Sequence, residues 1–310
     1  MNPSRKFRRR LTLGFLIFST TFSPAAEIVR VATYNVENYL DAPAGTRPPK
    51  SAEARAKIRE SVLAIEADVI AFQEMGGTNA LLELSASLKA AGRDYPHWEH
   101  ITGHDTNIHV AILSKFPIKT RTPHTNDNFL LSGRRFRVSR GFAEVVIEVN
   151  PAYRFTLITA HLKSRRPVPE ADEADLREQE AIKLREVIDA RLAANPNVNL
   201  IVLGDFNDNK DSRSTQRVVG RGKTALFDTR PAERNGDNQP NPIPRFEPRN
   251  ITWTHYYGKE DTYSRIDYIL ISAGMKREWL PEETHVLSIP NWGVGSDHRP
   301  LVAGFTAENK

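Results

Sequence analysis

Apolar and polar residues alternate across residues 27–36, around Ile28, Val29, Val31 and Ala32, and predict a strand. The period then changes. Ser51, with Glu53 in the following turn, is a helix N-cap, and Ile58, Val62, Leu63 and Ile65 recur at helical spacing up to an apolar strand over residues 68–74. Gly76-Gly77 opens a second helix through Leu81, Leu82, Leu84 and Leu88, which ends at Gly92. Short strands follow at 110–113, 142–149 and 155–160, and the turn residues Asn150-Pro151-Ala152-Tyr153 fold the last two into a hairpin. An acidic start at Asp172, Glu173 and Asp175 precedes a long helix carrying Ile182, Leu184, Val187, Ile188 and Leu192, stopped by Asn195-Pro196. Buried strands are predicted at 198–203, 265–271 and 300–305, whereas 231–248, rich in Pro and Asn and without period, reads as a surface loop. Strands interleaved with helices, with hairpins among them, predict a layered α/β fold whose polar motifs sit at strand ends.

Charge alters the picture at one end. Arg5, Lys6, Arg8, Arg9 and Arg10 precede a short apolar run from Leu11 to Phe18, and Ala25-Ala26 offers a small-residue cleavage site. Residues 1–26 are therefore expected to be a signal peptide and 27–310 the mature domain, secreted or periplasmic, with general and twin-arginine export both open. The run is broken too soon by Ser19, Thr20, Thr21 and Pro24 to act as a stable membrane anchor. The five basic residues of the leader are the whole excess of 43 Lys+Arg over 38 Asp+Glu. The mature domain is formally neutral, so a globally cationic surface is excluded and any grip on nucleic acid must be local. With no cysteine, thiolate metal sites and a cysteine nucleophile are excluded, and a metal would need oxygen or imidazole ligands. No repeat or linker divides the chain, which is expected to be one monomeric domain.

Four strand ends carry reactive side chains. Asp205 and Asn207 stand two residues apart and can point to one side of an extended chain. A carboxylate there can deprotonate an attacking water while an amide stabilises a negative transition state, although an Asx turn explains the same pair. Ser296-Asp297-His298 joins an imidazole to a neighbouring acid, with Asp267 of Arg265-Ile266-Asp267-Tyr268 as a second candidate supporter; a helix cap or surface turn is the alternative. Gln73-Glu74 ends a buried strand in a carboxylate and Tyr34-Asn35 ends the first strand in an amide. Because hard cations take oxygen ligands, Glu74 helped by Asn35 is the preferred metal site, against a charge that only solvates the strand end. Glu37 and Asp41 read as loop residues.

His161-Leu162-Lys163-Ser164-Arg165-Arg166 ends another strand in an imidazole able to neutralise a phosphate oxygen or a leaving group. Lys163 and Arg165 are either phosphate ligands or parts of a solvated basic loop. Arg134-Arg135-Phe136-Arg137 is open in the same way, between a nucleic-acid contact and a solvated strand face. His104, His109, His255 and His285 have no motif around them and read as surface or core residues. No exposed aromatic hairpin suited to membrane insertion is predicted, and Tyr256-Tyr257 is expected to pack beside Trp253.

Taken in order, Tyr34-Asn35, Gln73-Glu74, Ala160-His161, Gly204-Asp205-Phe206-Asn207, Arg265-Ile266-Asp267-Tyr268 and Ser296-Asp297-His298 resemble the endonuclease/exonuclease/phosphatase superfamily. Pancreatic deoxyribonuclease, bacterial sphingomyelinases, inositol polyphosphate phosphatases and apurinic endonucleases belong to it. The resemblance implies a four-layered α/β sandwich of two packed, mostly antiparallel sheets flanked by helices. It also implies attack of water on a phosphoester assisted by Mg²⁺, with Mn²⁺ or Ca²⁺ as substitutes. Asn35 and Glu74 would bind or support the metal, and Asp297 would serve a second metal or water site. Asp205 would orient the water, Asn207 stabilise the transition state, and His298, supported by Asp267, contact the scissile phosphate. His161 matches the branches other than the apurinic endonucleases. Asn107-Ile108-His109 stands where deoxyribonuclease places an acid to orient that histidine, which makes His161 a phosphate contact rather than a tuned acid. Nor does an arginine follow Glu74. The expected substrate is DNA or RNA. A phosphatase or sphingomyelinase-like activity on a small or lipid phosphoester is the alternative, and a binding module with a decayed site is disfavoured because the whole residue set is present.

Overall fold

The structure is a computed structural model and describes residues 27–235 and 250–308, so the expected leader and most of the 231–248 loop lie outside the described residues. One six-stranded sheet runs in the order β15 (Trp279–Val286), β16 (Leu301–Thr306), β1 (Ile28–Tyr39), β2 (Val69–Met75), β4 (His109–Ser114), β3 (His97–Ile101). The other runs β11 (Phe227–Asp228), β14 (Asp267–Ile271), β10 (Leu200–Asp205), β9 (Tyr153–His161), β8 (Phe142–Asn150), β5 (Ile118–His124). Two hairpins stand apart, β6 (Asn128–Leu131) with β7 (Arg134–Arg137) and β12 (His255–Tyr257) with β13 (Thr262–Ser264). Helices α1 (Ala52–Ile65) and α2 (Thr78–Ala90) cover the first sheet, and α3 (Glu173–Ala194) and α4 (Arg213–Val219) the second. No helix among the described residues is long and apolar enough to cross a membrane.

The predicted layers follow from which way each apolar side chain points. Val29, Val31, Val69 and Ala71 meet Phe155, Leu157, Ile201 and Leu203 between the sheets. Ala32, Tyr34 and Phe72 face Ile58 and Leu81 of the first helical layer, and Ile158, Val202 and Leu270 face Leu184 and Ile188 of the second. Ser51 is the cap read from sequence and accepts from the Ala54 amide, and Asp172, read as part of an acidic helix start, caps α3 by accepting from the amides of Ala174 and Asp175.

Each sheet contains one parallel pair, β1 with β2 and β9 with β10, and the remaining ladders are antiparallel. A helix, α1 or α3, links the strands of each parallel pair, so the carboxyl ends of both strands emerge side by side. The inward rows change character towards those ends: Val29, Val31, Thr33, Asn35 on β1; Val69, Ala71, Gln73 on β2; Phe155, Leu157, Thr159, His161 on β9; Ile201, Leu203, Asp205 on β10. The buried Gln73 amide ties the sheets together there, accepting from Thr33 Oγ1 and donating to Thr159 Oγ1, both at 3.1 Å. Beyond this polar bridge the inter-sheet space becomes the candidate site.

Several edge elements escaped the sequence pattern. In β5 the run Ile118-Lys119-Thr120-Arg121 exposes most of its side chains at a sheet edge, which leaves no alternation to read.

Candidate active site

Asp205 lies at the centre. It follows Gly204, whose φ is +132° and whose added Cβ would stand 2.0 Å from the Ala160 carbonyl oxygen, so only glycine lets β10 approach β9 this closely. The register places Asp205 opposite His161 on one side and Asp267 on the other. Its Oδ2 accepts from Asn35 Nδ2 at 2.9 Å and lies 3.4 Å from His161 Nε2 and 3.8 Å from His298 Nε2. Its Oδ1 accepts from the Asn207 amide at 2.8 Å, in an Asx turn that puts Asn207 at φ 55°. The turn and the chemistry are thus one object. Asn207 Nδ2 donates to the Leu162 carbonyl at 3.0 Å and lies 3.4 Å from Asp205 Oδ2.

The two histidines flanking Asp205 are tuned in opposite directions. His298 Nδ1 donates to Asp267 Oδ2 at 2.8 Å, and that oxygen also accepts from Thr254 Oγ1 at 2.6 Å. Burial alone would lower the His298 pKa, but the charge and hydrogen bond of Asp267, with Asp205 and Asp297 beyond, hold it well above the usual value. This favours the charged ring, whose Nε2 is turned towards the Asp205 and Asp297 carboxylates. Burial, then the Arg140 charge, holds His161 well below the usual value, and its Nδ1 is buried without a partner. Among the described residues no acid meets His161 Nδ1, and Asp105 pairs with Arg140 at 3.6 Å. A neutral ring with an unpartnered Nδ1 carries its proton on Nε2, towards Asp205.

Glu74 reaches the site through a β-bulge, with the β2–β4 register shifting between Phe72 and Met75 and Glu74 itself at φ 60°. Its Oε2 accepts from the Asn38 amide at 3.0 Å, while Oε1 is 3.5 Å from Asn35 Nδ2 and 3.9 Å from His161 Nε2. Asn35 commits its oxygen to the Glu37 amide and turns its NH₂ to both acids, which is the geometry of a support. Ser296 Oγ donates to the Asn35 carbonyl at 2.7 Å and accepts from the His298 amide at 3.1 Å, locking the last motif onto the first.

Asp297 stands on the far side of His298, with Oδ1 3.8 Å from His298 Nε2 and Oδ2 3.5 Å from His255 Nε2. His255, read as an ordinary histidine, belongs here: its ring packs 4.6 Å from that of His298. Lys163 and Arg165 are not turned into the site. Lys163 Nζ donates to the carbonyls of Ser164 and Arg166, and Arg165 binds the Asn207 carbonyl and Asp208. β12 and β13 form a short hairpin with Tyr257 40% and Tyr263 59% exposed. Tyr263, not the Tyr256-Tyr257 pair, packs on Trp253, at 4.8 Å. The signal missed was His255-Tyr256-Tyr257, a three-residue strand too short to show a period.

Cation chemistry fits these donors. Burial and then the Asp267 charge push Asp205 up to about 7, and burial and then Asp297 raise Glu37. Asp267 Oδ1 is buried with no donor. Among the described residues, Asp205, Asp267 and His298 form one group close enough to share an ion, and His255, Asp297 and His298 another; a charged His298 offers a cation no lone pair, so their carboxylates are the donors, and Glu74 lies in neither group. The carboxylates outnumber the cations beside them, and hard oxygen donors suit a divalent ion.

Residues 32–298 match the family model of the Endonuclease/Exonuclease/phosphatase family. This chain belongs to that family. Its members are typically hydrolases of phosphoester bonds and generally use a divalent metal. No curated protein matches the chain by sequence. Among solved structures, the family fold recurs in the human Nocturnin catalytic domain with bound sulfate anion (16% identity, 90% of this chain and 94% of that one, TM-score 0.60). It recurs in truncated Caenorhabditis elegans TDP2 (17%, 90% and 98%, 0.59) and in a Staphylococcus aureus beta toxin (19%, 89% and 99%, 0.58). At these identities the likeness is one of fold.

Proposed function

We propose that this protein is an exported, divalent-metal-dependent nuclease that hydrolyses phosphodiester bonds in DNA or RNA. The observation that carries the hydrolytic reading is Asp205 Oδ2 held between two imidazole Nε2 atoms, 3.4 Å from neutral His161 and 3.8 Å from cationic His298. Asp205 takes the proton of the attacking water, the new bond forms from that oxygen to phosphorus, and the bond from phosphorus to the leaving oxygen breaks. The Nε2–H groups of His298 and His161 donate to the phosphate oxygens as negative charge grows there, and Asn207 holds the turn that aims Asp205. Asp267 and Thr254 keep the His298 ring charged and oriented. Glu74, with Asn35 as support, would hold a divalent cation and Asp297 would serve a second position; when bound, the cation would supply Lewis-acid neutralisation of the phosphate. The basic leader supports export, and nothing in the described residues calls for a stable partner chain.

A second reading, a phosphodiesterase acting on lipid headgroups, draws on the exposed Tyr257 and Tyr263 at the rim. Purified protein with Mg²⁺, Mn²⁺ or Ca²⁺, offered plasmid DNA, RNA, sphingomyelin and bis(4-nitrophenyl) phosphate, separates the two. The nuclease reading expects nucleic acid to be cut, and Asp205→Ala and His298→Ala each to lower kcat by about 10²–10⁴. Metal-independent turnover, or full activity in both variants, would remove the mechanism; cleavage of sphingomyelin alone would remove the nuclease.

A further inference from the structure

The described surface is not evenly charged. The β6–β7 hairpin carries Arg134, Arg135 and Arg137, all exposed, beside Phe136, which stacks on Phe129 with centroids 5.9 Å apart. Arg135 binds Asn128, whereas among the described residues Arg134 and Arg137 have no carboxylate partner. Beneath the hairpin lies a cleft of about 530 Å³ lined by Phe136, Arg135, Arg137, His104 and Lys163 among others. Two acids border it. Glu180 is already used, accepting from Ser139 N and Oγ and from the Lys163 amide, and only Glu170 remains exposed there.

The cleft is coupled to the site by short covalent and hydrogen-bonded steps. Lys163 is two residues beyond His161, and Glu180 fixes its backbone to Ser139, the second residue after β7. Arg140, next in sequence, donates to the Leu162 carbonyl at 3.2 Å. The Lys163 ammonium donates to the carbonyls of Ser164 and Arg166 and to the Ser164 hydroxyl, and among the described residues it has no carboxylate ion-pair partner. Unpaired arginines beside a stacked aromatic pair are the features that bind a single-stranded polyanion, phosphate by charge and base by its face. A phosphomonoester or a lipid headgroup seated at Asp205 would leave this surface unused.

We propose that the β6–β7 hairpin and its cleft are a strand-binding subsite, holding phosphates and a base of a nucleic acid chain several nucleotides from the bond that is cut. This rests on the nuclease reading and narrows it to substrates longer than a dinucleotide. The test compares wild type with the Arg134→Gln/Arg137→Gln protein, both folded by thermal melt, on a 20-nucleotide single strand and on a dinucleotide at several salt concentrations. The expected result is a KM for the 20-mer raised about tenfold at 0.1 M salt, with kcat and the dinucleotide KM moving less than twofold. The slope of log KM against log salt should flatten by about 0.7 for each phosphate no longer bound. An unchanged 20-mer KM and slope would overturn the subsite and leave the nuclease standing. Hydrolysis of bis(4-nitrophenyl) phosphate without cleavage of any DNA or RNA would end both. If the double variant loses binding to phosphatidylglycerol-containing vesicles but not to the 20-mer, the surface is a membrane contact and the subsite is wrong.

Discussion

Thr254 is the residue whose removal best tests how the site is held. It is fully buried; its hydroxyl donates to Asp267 Oδ2 at 2.6 Å and accepts from the amides of Ile266 and Asp267, each at 3.2 Å. Thr254→Val keeps the shape and deletes the oxygen. Asp267 then retains a single donor, His298, because its Oδ1 already has none. A hydrogen bond to a buried charge is worth about 1.5–3 kcal/mol, and two neighbouring amides lose their acceptor besides. Since those amides share one oxygen, about 3 kcal/mol in total is the expected loss, or roughly 5 °C in Tm for a chain of this size. The His298 ring would lose part of its fixed orientation, and a tenfold fall in kcat, about 1.4 kcal/mol, is expected with KM little changed. Urea unfolding and initial rates on bis(4-nitrophenyl) phosphate measure both, with Thr254→Ser, which restores the hydroxyl, as the control. Should Thr254→Val prove as stable and as fast as wild type, or Thr254→Ser fall as far, the account of Asp267 and His298 is refuted.

Gly204→Ala should fail to fold or lose more than about 3 kcal/mol, since its Cβ would overlap a backbone carbonyl at 2.0 Å; a soluble, active variant would contradict the β9–β10 approach. His109, 5% exposed, is pushed down to about 4 by burial and then by His100. Its folded pKa is below the unfolded 6.5, so its stabilisation is complete above pH 6.5 and falls away as pH drops. Between pH 6.5 and 5 this is worth about 2 kcal/mol, and His109→Gln should show a correspondingly shallower loss by urea titration. Mn²⁺ at a hundred times its Kd should stabilise the wild type by about 2.7 kcal/mol, and Glu74→Gln should remove most of that shift in a thermal melt without any assay of turnover.

The legible parts of this fold were those where one physical signal dominated. The strands from Ile28, Val69 and Leu200 are central and largely buried, so alternation announces the first and apolar runs the other two, and each carries a polar residue towards its carboxyl end. That made Asn35, Glu74 and Asp205 visible as strand-end groups. What sequence could not supply was direction at the strand end. The bulge that swings Glu74 inward and the left-handed turn at Asn207 are backbone events at non-glycine residues. His255 was missed because its role comes from lying across from His298 in an isolated bridge, a pairing 43 residues apart with no local trace. The β12–β13 hairpin was missed because its two three-residue strands are too short to show a period.

The first sheet is built from both ends of the chain: β1 pairs with β16, and Ser296 hydrogen-bonds the Asn35 carbonyl across 261 positions of sequence. A chain growing from its amino end therefore completes the second sheet before it can close the first, and neither His298 nor its lock on Asn35 exists until then. The site is therefore incomplete until the strand that follows His298 has docked against β1.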